Sequence, residues 1–161
     1  MQTRIEELPK KTLVGKSVRM SLSDNKTSQL WKDFKTEKAL VKNAIGTELY
    51  SIQLYDDLHY FKNFTTETKF TKWAAVEVVN LFNIPIGFSS LTIESGLYAV
   101  FLHKGSASEF PKTMHYIFSQ WLPHSAYELD HRPHFELLGE QYKNNSLDSE
   151  EEVWIPIRKK A

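Results

Sequence analysis

The stretch Gly96-Leu97-Tyr98-Ala99-Val100-Phe101-Leu102-His103-Lys104-Gly105 reads as a strand closed by a glycine, and the elements after it decide the fold. Ser106 or Ser108 is placed to cap a helix that runs to about Leu122, where Pro123 stops it. Pro133 to Glu140 forms the next strand. After an acidic, asparagine-rich turn from Lys143 to Glu152, Val153 to Arg158 forms the last.

The same order recurs upstream. Thr12 to Leu22 interleaves Leu13, Val14, Val18, Met20 and Leu22 with polar residues, which is strand patterning. From about Ser28 the pattern turns helical, with Leu30, Phe34, Leu40 and Val41 on one face and Trp31 beside them. Asp24, Asn25, Thr27 and Ser28 are candidate N-caps, and Asn43 and Gly46 mark the helix end. Glu48 to Tyr55 is a strand with Tyr50, Ile52 and Leu54 facing one way. Asp56 to Lys69 is irregular, and Lys72 to Leu81 is a strand.

The expectation is therefore an α+β fold of two pseudo-symmetric strand-helix-strand-strand units with a central ligand cleft. The halves span about residues 1–85 and 86–161 within a single domain covering 1–161. Letter identity between them is faint. Lys72-Trp73 matches Val153-Trp154, and Glu48-Leu49 matches Glu136-Leu137. Two units that each leave a sheet face uncovered pair around a pseudo-twofold, and the ligand site falls between them.

Composition narrows the function. The 161 residues are 41% hydrophobic and 13% aromatic, enough for a sizeable core. Lysine plus arginine total 20 and aspartate plus glutamate total 20, so the basic excess of a phosphate-binding protein is missing and no direct nucleic-acid contact is expected. The absence of cysteine removes disulfides, thiolate zinc sites and cysteine nucleophiles. The N-terminus lacks a signal-peptide core and the apolar runs fall short of a membrane span, so a cytoplasmic protein without membrane contact is expected.

Glu136 is the residue of most interest. In His134-Phe135-Glu136-Leu137-Leu138, alternation sets His134, Glu136 and Leu138 against Phe135 and Leu137. If the second set is core, Glu136 points into the cleft, where a carboxylate needs a partner. In Trp73-Ala74-Ala75-Val76-Glu77 the residues Trp73, Ala75 and Glu77 share a face, and small Ala75 between a ring and a carboxylate reads as a ligand wall. Tyr98, Phe101, Trp121 and Tyr127 add aromatic surface, with Tyr98 and Tyr127 needing partners for their hydroxyls. A carboxylate at the end of an aromatic box suits a flat lipophilic cation. Of His115, His124, His131 and His134, the last two sit across Pro133 at a strand start, where alternation does not aim them together, so neither a metal nor a cofactor is expected.

Several of these residues, in this order, resemble the GyrI-like family, the bacterial transcription activator effector-binding domain. They are Gly96-Leu97-Tyr98-Ala99-Val100-Phe101, His103 and Gly105, Ile117 with Trp121-Leu122-Pro123, Pro133-His134-Phe135-Glu136 and Ile155-Pro156-Ile157. Leu30-Trp31-Lys32-Asp33-Phe34 and Trp73-Ala74-Ala75-Val76-Glu77 look like the family's first half. The resemblance implies a hydrophobic central cleft binding aromatic or cationic small molecules, with Glu136 at the position of the family's buried glutamate. Some members are fused to DNA-binding segments; others resemble hydrolases that open strained rings. This chain departs in having Trp73 where a tyrosine is frequent, and leucines after Glu136 where many members have a tyrosine.

These residues suit three functions. The first is a stand-alone binding protein, a multidrug or effector sensor without a DNA-binding segment, whose ligand contacts are Glu136, Trp73, Glu77, Tyr98, Trp121 and Tyr127. The second is a hydrolase with Glu136 as catalytic acid or base and Tyr98 or Tyr127 stabilising charge. The third is an adaptor that binds a protein through Asp148-Ser149-Glu150-Glu151-Glu152.

Overall fold

Two residues, Pro9 and Lys10, separate the first strand from the second, and that short link shapes the whole sheet. The computed structural model describes residues 1–139, 141–143 and 146–161; the expected strand end at Glu140 and the turn residues Asn144 and Asn145 lie outside them. In chain order the elements are β1 (Thr3–Leu8), β2 (Lys11–Met20), α1 (Thr27–Glu37), β3 (Leu49–Leu54), β4 (Phe70–Glu77), β5 (Ser89–Ile93) and β6 (Gly96–Lys104), followed by α2 (Phe110–Tyr116), β7 (Tyr127–Leu129), β8 (His134–Leu138) and β9 (Glu150–Lys159). The fold is α+β, and each half holds the expected strand, helix, strand, strand: β2-α1-β3-β4 and β6-α2-β8-β9.

The strands form one antiparallel sheet in the order β1-β6-β9-β8-β3-β4-β2-β5, with β7 attached to β9. Laid flat, β1 and β2 would stand six strand spacings of about 4.8 Å apart. The chain from Leu8 to Lys11 spans at most about 11 Å. The sheet must therefore curl until its ends approach. Its inner face does so around one cluster that includes Leu8, Leu13, Ile52, Ile93, Tyr98 and Phe135, drawn from both ends and the middle. The halves also exchange edges: β1 pairs with β6 of the second half and β5 with β2 of the first.

The pseudo-twofold runs between β3 and β8. A single cross-strand row, Trp73-Ile52-Phe135-Trp154, spans the inner face, and Phe135 stacks on Trp154 with centroids 5.3 Å apart. The match of Trp73 with Trp154 is thus a true symmetry relation. The suggested match of Glu48-Leu49 with Glu136-Leu137 is not, because the same register relates Gln53 to Glu136.

Both helices lie on the outer face. α1 buries Leu30 and Phe34, one turn apart, on Val14, Ala74 and Val76; a fully buried phenylalanine is worth roughly 2–3 kcal/mol. α2 and the turn after it bury Ile117 on Ala99, Phe101 and Val153. His103 ties α2 down through its Nδ1, 2.7 Å from the Thr113 hydroxyl.

The outline departs from expectation at element ends. α1 stops at Glu37 and passes into a tight turn at Lys38–Leu40, leaving Leu40 exposed, so Asn43 and Gly46 do not end it. No side chain caps its N-terminus, although Asn25 Oδ1 accepts the Thr27 amide at 3.0 Å. β4 ends at Glu77, and the chain beyond exposes Val79, Phe82 and Ile86. β1, β5 and β7 are strands that periodicity misses, since sequences such as Thr-Arg-Ile-Glu-Glu-Leu mix polar and apolar residues on both faces.

Gly15 shows how tightly β2 and β4 approach. A Cβ there would stand 2.1 Å from the Ala74 carbonyl oxygen and 2.7 Å from the Ala75 Cα, both backbone atoms that cannot rotate away. Gly15→Ala is expected to lower stability by about 2 kcal/mol or more. Urea denaturation measures this; an unchanged midpoint would mean that β2 has room the structure denies it.

Candidate functional site

Between the two helices the outer face is covered by neither, and its side chains there are polar. Register places Lys72, Gln53 and His134 in one row across β4, β3 and β8. Ala74, Ser51, Glu136 and Val153 form the next row. Gln53, Lys72, His134 and Glu136 are all buried, at 6–8% exposure. Four polar side chains under cover in the middle of a sheet are costly unless they satisfy one another or a ligand.

They do so only in part. Gln53 Nε2 donates to Glu136 Oε1 at 3.1 Å, and Lys72 Nζ lies 3.8 Å from the same oxygen. Burial pushes the Glu136 carboxyl above its ordinary range, with Lys72 and Gln53 opposing that shift. Burial likewise lowers Lys72, against the attraction of Glu136 and Glu151. Glu151 pairs with His103 and lies two residues before Val153, the partner of Glu136, on the same face. Its carboxyl is raised to about 7, first by burial and then by Glu136. His134 Nδ1 is buried without a hydrogen-bond partner among the described residues.

Aromatic rings close around the His134 end of this cluster. The segment joining β3 to β4, expected as irregular, makes a short turn at Tyr60–Lys62 and carries Phe61 across to the second half. There Phe61 stacks on Phe118 at 4.9 Å, and Tyr55, Phe61 and Phe118 lie 4.8, 5.7 and 6.4 Å from the His134 ring. Phe118 sits in a widened helical turn in which the Leu122 amide reaches back to the Ile117 carbonyl at 2.8 Å, a form of turn common at functional sites. The cleft is closed, leaving beside Tyr55, Phe61 and His134 a cavity of about 10 Å³, room for about one water. A wider open groove along α1, at Lys16, Gln29 and Asp33, contains none of the buried polar cluster.

The expected site residues do not all meet. Glu136 is in the cleft. Trp73, Glu77 and Tyr98 are on the opposite, inner face of the sheet, because Lys72 rather than Trp73 shares a row with Gln53 and His134. Trp73 and Tyr98 are core there, and the Tyr98 hydroxyl donates to the Pro133 carbonyl at 2.8 Å. Glu77 pairs with Lys11 at 3.3 Å. Trp121 packs edge-on to Phe101 and parallel to Tyr127, below α2 and away from Glu136. Lys72, Gln53 and His134 replace them beside Glu136; a lone lysine just before the apolar run Trp73 to Val76 was the available signal.

The acidic run Asp148 to Glu152 is dispersed. Asp148 pairs with Lys143, Glu150 with Lys104 and Glu152 with Arg4. Among the described residues no group of three or more histidines and carboxylates could hold a metal, and no helix is long and apolar enough to cross a membrane.

The chain belongs to the GyrI-like family: the model of the GyrI-like small molecule binding domain matches residues 1–158. Among solved structures it is similar to SAV2435 bound to tetraphenylphosphonium, at 19% identity and a TM-score of 0.73 over 98% of this chain and 94% of that one. It is similar to the EcmrR C-terminal domain at 18% identity and a TM-score of 0.71, covering 99% and 98% of the two chains. A putative transcription regulation protein from Staphylococcus aureus MU50 matches at 17% identity and a TM-score of 0.69, covering 98% and 99%. Comparison with curated proteins finds no match.

His134 makes the site sensitive to acid. Burial, and then His131 and Arg132, lower its imidazole to about 3, so it is neutral when folded. An unfolded histidine takes up a proton near 6.5, so its contribution to stability is complete above that pH and falls as pH drops toward 3. Replacing it by glutamine is expected to remove about 2 kcal/mol of the stability lost between pH 7.5 and pH 5. Parallel denaturation curves for wild type and His134→Gln at the two pH values would test this; equal losses would place His134 in contact with water.

Proposed function

We propose that this chain is an effector-binding protein that takes a lipophilic, aromatic, cationic small molecule into the cleft between its halves, with Glu136 as the anchor. One observation carries the reading: a buried, weakly partnered carboxylate at the junction of two symmetric units, on the same strand face as a histidine ring that Tyr55, Phe61 and Phe118 surround. A cation at Glu136 would replace the solvation that the carboxylate lost on folding, and the rings of Tyr55, Phe61 and Phe118 would supply stacking and cation–π attraction. Entry would part Phe61 from Phe118, whose stacked rings both lie beside His134. The relative bound to tetraphenylphosphonium supports the choice of cation class. A role in sensing drugs or effectors in the cytoplasm belongs to the same proposal, supported by the family and by the transcription regulation protein among its structural relatives.

A second reading has one observation in its favour. The Glu136 carboxyl, raised by burial in a water-poor cleft, has the character of a general acid or base, and an electrophilic strained ring would be its substrate.

Calorimetric titration with tetraphenylphosphonium separates the alternatives. Binding to wild type that weakens by about tenfold or more in Glu136→Gln is expected, the loss of a desolvated charge partner. Equal affinity in the variant would remove Glu136 as the anchor. Turnover of a strained-ring electrophile by wild type, abolished in Glu136→Gln, would favour the hydrolytic reading.

A further inference from the structure

Lys72 is a buried lysine that the ligand-binding reading does not use. It projects from β4, its side chain 9% exposed, into the cleft where a cationic ligand would sit. An ammonium has three donors, and charge-assisted bonds to carboxylates run at about 2.7–2.9 Å. Among the described residues Lys72 has no carboxylate so close. Its nearest acidic partner is Glu136 Oε1 at 3.8 Å, an oxygen that already accepts a hydrogen bond from Gln53. Glu151, on β9 across the same face, is a second carboxylate within electrostatic reach of both Lys72 and Glu136. Two acidic side chains therefore share one sheet face with a single loosely held ammonium, Glu136 at 3.8 Å from it and Glu151 further along β9.

We propose that Lys72 is the site's own stand-in cation, holding Glu136 until a ligand arrives, and that a cationic ligand binds by displacing its ammonium from Glu136 toward Glu151. The idea rests on the cleft being the ligand site. Lys72 then sets specificity: it raises the threshold for cations, and neutral aromatic ligands, which leave the Lys72–Glu136 pair intact, escape that competition. Glu151 keeps the displaced ammonium from being stranded in a buried site. Tyr55 and Phe61, from the segment after β3, lie against His134, which shares a row with Lys72, so the stand-in cation and the aromatic cover are neighbours.

Titrations with tetraphenylphosphonium and with neutral triphenylphosphine oxide, on wild type and variants, test this. Lys72→Met is expected to bind the cation about tenfold more tightly with little change for the oxide. Lys72→Arg, which keeps the charge and grips a carboxylate through a fork, is expected to bind the cation more weakly than wild type. Glu151→Gln is expected to weaken cation binding as well. If wild type binds the cation through Glu136 but Lys72→Met binds it equally or less well, the stand-in role is wrong and the ligand site survives. If Lys72→Met fails to fold, Lys72→Arg decides alone, and affinity equal to or above wild type overturns the role. Absence of cation binding in wild type and every variant overturns the ligand site itself.

Discussion

The antiparallel pairing of β3 with β8 is the contact on which the remainder depends. It joins the halves into one sheet and sets the pseudo-twofold. On the inner face it aligns Ile52 with Phe135, so that Trp73 and Trp154 complete an apolar row continuous across the junction. On the outer face the same register aligns Gln53 with His134 and Ser51 with Glu136, setting a polar strip in the gap between the helices. A slip of one residue would exchange the two faces and bury charges in the aromatic core.

Electrostatics then set the gap apart from the rest of the sheet. Removing Glu136 and Lys72 from water costs more than a 3.8 Å contact returns, and for both groups burial is the largest influence, pushing each toward neutrality. Such a pair is poor at stabilising a fold and well suited to exchange. The aromatic cover contributes differently: rings from Tyr55, Phe61 and Phe118 surround His134, whose Nδ1 has no partner among the described residues. The cleft thus holds a buried polar atom, His134 Nδ1, that the described residues leave unsatisfied.

Much of the architecture was legible because local patterning reports on local elements. The strand, helix, strand, strand order of each half, the burial of Leu30 and Phe34, and the separation of Glu136 from Phe135 all come from periods of 3.6 and 2. What was not legible depends on long-range pairing. Alternation gives the two faces of β4, but only its register with β3 and β8 says whether Lys72 or Trp73 joins Glu136. The edge strands β1 and β5 are short and mixed in polarity, and their exchange between halves accompanies the curl imposed by Pro9 and Lys10. Phe61 lies in a polar segment without periodicity, so nothing local marks it as the cover of a cleft.

A crystal structure of the protein with tetraphenylphosphonium bound tests the central claim most directly. The predicted result is the ligand's phosphorus within about 6 Å of the Glu136 carboxylate on the outer face, with Phe61 parted from Phe118 and Lys72 turned away. A ligand lodged on the inner face among Trp73, Tyr98 and Trp154, with the Phe61–Phe118 stack intact, would contradict it.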